Sequence, residues 1–90
     1  MTVRHFGILS SEYIQLLALI RSQPSKLPCE WKPEYWFPED IADPIVRTKA
    51  TTLALTGCRS CPIAEQCFTY ALENNERHGI WGGSLPSERI

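Results

Sequence analysis

The sequence predicts an all-α domain of three to four helices gathered around a metal centre. Three observations carry that expectation. Apolar residues recur at steps of three and four in separate segments, and no stretch shows convincing strand alternation. The third is the set of four cysteines, spaced C-x28-C-x2-C-x5-C at Cys29, Cys58, Cys61 and Cys67. Four is the ligand number of a tetrahedral metal ion or an iron–sulfur cluster, and no cysteine is left over.

Ninety residues form one domain, 1–90, with seven prolines and five glycines. A domain of this size buries only about 60–65% of its unfolded-chain surface, so it needs a staple such as a metal, disulfides or a partner. Met1–Gly7 has no charged start leading into an apolar run, unlike a secretory signal. The apolar stretch Ile14–Ile20 is interrupted by Gln15 and is too short to cross a membrane. These features point to a reducing cytoplasm, where clustered cysteines bind metal more often than they pair. The net charge of −1 gives no bulk attraction for nucleic acid.

The first helix is expected over about 11–22. Leu9, Tyr13, Leu16, Leu17 and Ile20 form its apolar stripe, Ser10 or Ser11 caps it, Glu12 lies in its first turn, and Pro24 stops it. A proline-punctuated loop, 24–43, carries Cys29. The second helix, about 44–56, starts from an Asp43 cap with Pro44 at the first position. Val46, Ala50, Leu53 and Ala54 are its expected buried stripe and Gly57 its stop, with Cys58 just beyond. A third helix, about 62–75, starts at Pro62 with Cys61 as its cap and carries Ile63, Cys67, Tyr70 and Ala71 on one face. A glycine turn, Gly79-Ile80-Trp81-Gly82-Gly83, and a short tail, 84–90, complete the chain.

Cys58 and Cys61 bracket a turn, and Cys67 lies nearly two helical turns further on. The positive end of the third helix would then face the ligand and favour thiolates or an anionic cluster. Cys29 would tie the two halves of the chain together. Three other chemistries fit the cysteines. A structural zinc site usually pairs two short hooks, of which only one is present. A thioredoxin-like pair is suggested by Cys58-Arg59-Ser60-Cys61 but lacks a βαβ setting. Two disulfides would require an oxidising compartment.

The cysteine spacing together with Gly79-Ile80-Trp81-Gly82-Gly83 resembles the WhiB-like proteins of actinobacteria and their phages, over roughly Pro28 to Gly83. The resemblance implies one [4Fe–4S] cluster on Cys29, Cys58, Cys61 and Cys67. It implies sensitivity to oxygen and nitric oxide, and a regulator of transcription rather than an enzyme. It further implies a heterodimer with region 4 of the primary sigma factor of RNA polymerase, the cluster shielded at that interface. Gly79, Trp81, Gly82 and Gly83 of the turn, and the aromatic pair Trp36 and Phe37, would contribute to the contact. Family members that touch DNA carry a basic tail, whereas Ser84–Ile90 holds one acid and one base. Counterion release needs several cations, so promoter DNA is expected to be met only indirectly or weakly. The rival functions are a regulator that binds DNA directly in its apo form, a small disulfide reductase using Cys58 and Cys61, and a zinc-stapled adaptor.

Aromatic residues crowd the cysteine loop: Trp31, Tyr35, Trp36 and Phe37 stand among Glu30, Glu34, Glu39, Asp40 and Asp43, with only Lys32 in opposition. Exposed rings with an acidic rim suit a basic partner. Trp36 and Phe37 serve equally well as a cover over the metal centre within the monomer. Trp81 reads either as a plug of its turn or as a partner contact. His5 and His78 read as surface groups, and Glu73 with Arg77 as a solvated i, i+4 helix pair. No Ser/His/Asp constellation, phosphate loop or HExxH pattern occurs.

Overall fold

Proline punctuates this fold, because its fixed φ suits the first position of a helical turn, where its missing N–H is not needed. The computed structural model describes residues 11–89. Helix α1 (Ser11–Arg21) is followed by the short helix α2 (Pro28–Trp31) and by 3₁₀ turns at Pro33–Trp36 and Pro38–Asp40. Helix α3 (Pro44–Arg59), helix α4 (Ala64–Glu73) and a 3₁₀ turn at Pro86–Arg89 complete the order. The segment expected as a loop, 24–43, is therefore a staircase of helical turns, and Cys29 sits on the first of them. Leu9 and Ser10 of the expected first helix lie outside the described residues.

One short motif is used twice. In Leu27-Pro28-Cys29-Glu30 the Leu27 N–H donates to the Glu30 carboxylate at 2.7 Å, while the Glu30 N–H donates to the Leu27 carbonyl at 2.9 Å. Leu85-Pro86-Ser87-Glu88 repeats it, with Leu85 N–H to Glu88 at 2.7 Å and Glu88 N–H to the Leu85 carbonyl at 3.0 Å. The glutamate completes half of a capping box, so each turn is closed by its own four residues. Cys29 lies inside the first of these turns, and Arg89 directly follows the second motif.

Asp43 caps α3, accepting from Ile45 N–H at 2.8 Å and Val46 N–H at 3.4 Å. The helix runs through Gly57 to Arg59, so Cys58 belongs to its last turn instead of following a stop. Gly57 is retained for packing: a Cβ there would lie 2.9 Å from Pro28 Cβ and 3.1 Å from the Trp36 ring. The buried stripe is Ala50, Ala54 and Cys58. Val46 and Leu53, expected inside, are exposed (44% and 56%), because the staircase approaches so closely that only small side chains fit between.

Helix α4 starts two residues later than the sequence suggests, with Ile63 rather than Cys61 at its cap position. Cys61 instead lies in the α3–α4 connection, its carbonyl accepting from Ala64 N–H at 3.3 Å. At the far end Asn75 takes a left-handed φ of 53°. Glu76 N–H reaches back to the Ala71 carbonyl at 2.9 Å, and Asn75 N–H to that of Leu72 at 3.4 Å, closing a Schellman motif. Arg77 therefore falls beyond the helix and forms no helical pair with Glu73.

Two apolar clusters build the core. Leu16, Leu27, Ile63, Tyr70 and Ala71 join α1 to α4, and Trp36, Ala54, Cys58 and Ile80 join the staircase to α3 and the glycine turn. Cys29 packs against both. No large side chain among the described residues is fully buried, in keeping with the small size of each cluster. No helix among the described residues is long and apolar enough to cross a membrane.

Glycine inside a helix ordinarily costs up to about 1 kcal/mol relative to alanine, yet Gly57→Ala should lower stability by about 1–3 kcal/mol through overpacking against Pro28 and Trp36. Urea unfolding of the two proteins measures this. A more stable variant would show that the Pro28 turn can yield.

Candidate metal centre

The two apolar clusters leave between them a cavity of about 210 Å³ whose lining includes Cys29, Cys58, Cys61 and Cys67. Each cysteine arrives on a different piece of chain: Cys29 on α2, Cys58 in the last turn of α3, Cys61 in the connection and Cys67 on α4. The rest of the wall is largely apolar and includes Leu16 and Ile20 of α1 with Trp36, Phe37, Ile80 and Trp81. All four thiols are free of disulfides, Cys58 buried and the other three partly so.

Burial dominates the acidity of Cys29 and Cys67. It pushes the Cys29 thiol up from its ordinary 9.0 to about 11, with negative charge at Cys61, Glu30 and Cys58 adding to the rise. Cys67 is pushed up to about 12 for the same first reason, followed by Cys61, Cys29 and Cys58. Four thiolates cannot share an apolar cavity without positive charge among them. A bound metal centre would supply that charge and release the protons on loading.

Four thiolates are the ligand set of a zinc ion and of an iron–sulfur cluster alike. Zinc at about 2.3 Å from each sulfur needs thiolates about 3.8 Å apart. Among the described residues, no three His, Cys, Asp or Glu side chains are grouped to hold one metal ion. Four sulfurs around a common cavity suit a polynuclear cluster, whose several atoms keep its ligands further apart. The Trp36 Nε1–H donates to Cys58 Sγ at 3.3 Å, the kind of bond that tunes a cluster thiolate.

The glycine turn closes one side of the cavity. Its Ile80 N–H donates to the Trp36 carbonyl at 2.6 Å, and its Gly79 N–H to the Glu39 carboxylate at 2.6 Å. The aromatic pair and the turn are thus joined to each other in the monomer. Gly79 (φ 83°) and Gly82 (φ 57°) need left-handed backbone, and each also needs its missing side chain. A Cβ on Gly79 would lie 2.6 Å from the Phe37 ring, and one on Gly82 would strike the Ala64 carbonyl of α4. Gly83 (φ 79°) meets only Cys58 Cβ at an ordinary 3.5 Å. Trp81 is half-buried, its ring tilted by 40° against that of Tyr70 with centres 5.2 Å apart, and its Nε1–H donates to the His78 carbonyl at 2.9 Å.

Among the loop aromatics, Trp36 is only 8% exposed and faces the sulfur, whereas Phe37 is 37% and Trp31 68% exposed. Lys26 Nζ lies 4.9 Å from the Trp31 ring centre. Of the five acids, Glu30 and Asp43 close local hydrogen bonds, and Glu39 accepts from Gly79 N–H across the fold. His78 is on the surface, its Nδ1 3.5 Å from Glu39; His5 lies outside the described residues.

Arg89, which the sequence offered only as the one base of the tail, is turned inward by the fold. Its side chain is buried, at 8% exposed for the residue, and its guanidinium donates to the carbonyls of Glu76, His78, Gly79 and Ser84. Burial lowers its pKa, and the carboxylates of Glu76, Glu39 and Glu88 oppose that shift. The one available sequence signal was the repeated Leu-Pro-x-Glu turn that delivers it.

Comparison with known proteins gives a match of residues 25–90 to the family model described as transcription factor WhiB. The transcriptional regulator WhiB7 of Mycolicibacterium smegmatis is 42% identical over 60 residues, 66% of this chain and 52% of that protein. The transcriptional regulator WhiB of Streptomyces coelicolor is 37% identical over 67 residues, 74% of this chain and 69% of that protein. The redox- and pH-responsive transcriptional regulator WhiB3 of Mycobacterium tuberculosis is 46% identical over 43 residues, 48% and 42% of the two chains. The chain thus spans about half the length of several curated relatives it matches. No solved structure matches it.

The raised thiol pKa values predict a pH dependence of the reduced, metal-free protein. Folded Cys29 and Cys67 hold their protons to about 11 and about 12, while the unfolded thiols ionise near 9.0. This stabilisation is complete below the unfolded value and is lost as pH climbs through the folded values. The urea midpoint should therefore fall above pH 9.0, and the double substitution Cys29→Ser, Cys67→Ser should flatten the fall. A midpoint independent of pH in the wild type would overturn the burial of these thiols.

Proposed function

The chain belongs to the WhiB family of transcription factors, and from that premise we propose a regulator that holds one [4Fe–4S] cluster and acts by binding region 4 of the primary sigma factor. Cys29, Cys58, Cys61 and Cys67 would be the cluster ligands. The observation that carries this reading is the convergence of their four side chains on one apolar cavity. When bound, the cluster supplies a redox-active iron–sulfur centre open to reaction with oxygen or nitric oxide. Redox response is printed in the name of the M. tuberculosis relative.

The chain's own residues would do the rest. Trp36 donates to the Cys58 sulfur and offsets part of its charge. Ile80, Trp81 and Gly82 wall the cavity from water. The exposed rings of Trp31 and Phe37 belong to a segment that also carries Glu34, Glu39 and Asp40, and apolar rings in an acidic segment would suit a basic helix-turn-helix partner. Because ligands and docking face share the staircase from Pro28 to Asp40, loss of the cluster would loosen that face and alter transcription from the promoter in the cytoplasm.

The rival activities draw less support. The single tail cation, Arg89, has its N–H groups committed inside the protein, which leaves the tail no free positive charge for phosphate. A disulfide reductase needs an accessible, low-pKa thiol, and Cys58 is 7% exposed.

Protein purified without oxygen should be brown, contain iron and acid-labile sulfide, and copurify with coexpressed sigma region 4. Trp31→Ala should weaken that binding by about 2 kcal/mol, the size of an interface hot spot, with cluster content unchanged. Colourless protein holding one zinc ion would sink the cluster assignment, and undiminished sigma binding by the variant would sink the docking face.

A further inference from the structure

The Arg89 guanidinium offers five N–H groups in a planar fork. Nε–H donates to the Glu76 carbonyl at 3.2 Å. One terminal nitrogen donates to the Ser84 carbonyl at 2.8 Å and to Ser84 Oγ at 3.1 Å. The other reaches the carbonyls of Glu76, His78 and Gly79 at 3.0, 3.3 and 2.9 Å. Three of these acceptors, His78, Gly79 and Ser84, lie two residues or fewer from the wall residues Ile80, Trp81 and Gly82, and Glu76 lies four before Ile80.

Convergent carbonyls are unfavourable neighbours unless a donor serves them, and a carbonyl buried without a partner costs about 1–3 kcal/mol. Around this turn Arg89 serves four such carbonyls, joined at His78 by Trp81 Nε1–H and at Ser84 by Trp81 N–H. Within the turn Trp81 and Ser84 form one isolated bridge and three glycines have positive φ, so the turn is held by its ties to Trp36, Glu39 and Arg89. Such glycines have much conformational freedom to regain on opening. Lysine could not replace the clamp, because its three donors leave a point charge and lack the planar fork.

We propose that Arg89 is the positioning residue of the glycine turn, clamping it across the mouth of the four-cysteine cavity and so setting how readily small reagents reach the sulfurs. The C-terminal cation therefore acts inward, as a latch on the metal centre, and not outward toward nucleic acid. The access consequence for a cluster rests on the reading given under the proposed function; the latch itself rests on hydrogen bonds and burial alone.

The test compares the full chain with Arg89→Gln and Arg89→Lys. Amide hydrogen exchange in reduced, metal-free protein should quicken about tenfold at Ile80, Trp81 and Ser84 in Arg89→Gln, through local opening. Lysine should fall between, and amides in the middle of α3 and α4 should keep their rates. Iodoacetamide should alkylate Cys58 faster in the same order. In protein purified without oxygen, iron loss to a chelator should follow that order too. Unchanged turn exchange in Arg89→Gln, or equal acceleration of every amide in both variants, would overturn the latch. Wild-type protein without iron would sink the cluster reading and leave exchange and alkylation to decide the latch.

Discussion

Cys29 touches both apolar clusters, and the cavity it shares with Cys58, Cys61 and Cys67 lies where those clusters meet. That meeting point is the constraint on which the rest of the chain depends. Neither cluster is large: five buried side chains hold α1 to α4, and four hold the staircase to α3. A chain of this length gains little from each half-core. A centre bonded to sulfurs from α2, α3, the connection and α4 would join the halves by covalent bonds, which act over a shorter range than apolar contact but far more strongly.

The same constraint accounts for the small residues near the site. Ala50, Ala54 and Gly57 let the staircase lie directly on α3, which brings Trp36 within hydrogen-bond distance of the Cys58 sulfur. Gly79 and Gly82 let the turn press on Phe37 and on the start of α4. The close approaches expected of these glycines are made within the chain. A partner would meet the surface that results: Trp31, Phe37 and the acidic rim.

Most of the helical pattern was legible in residues 11–89. Asp43-Pro44 marks the start of α3, and Ile63, Tyr70 and Ala71 mark the inner face of α4. The staircase was harder to read, since prolines at 28, 33 and 38 suggest a loop until their spacing shows that each begins a turn. Leu53 and Val46 match a helical stripe but are exposed, because periodicity reports which residues share a face and not how closely a neighbour approaches it. Arg89 was weighed as a charge facing solvent; its burial depends on four carbonyls that only the folded turn gathers.

By itself the sequence determined the cysteine spacing, the main helical segments and the Asp43 cap of α3, since these are properties of single residues or of neighbours a few positions apart. The resemblance to WhiB-like proteins also followed from spacing and from the glycine turn. Tertiary structure alone decided that four sulfurs from four pieces of chain face one cavity, that Trp36 turns inward while Trp31 stays out, and that Arg89 latches the turn. Those outcomes depend on distances between residues far apart in the chain, such as Glu39 to Gly79 and Trp36 to Ile80. Such distances exist only once the apolar clusters have closed.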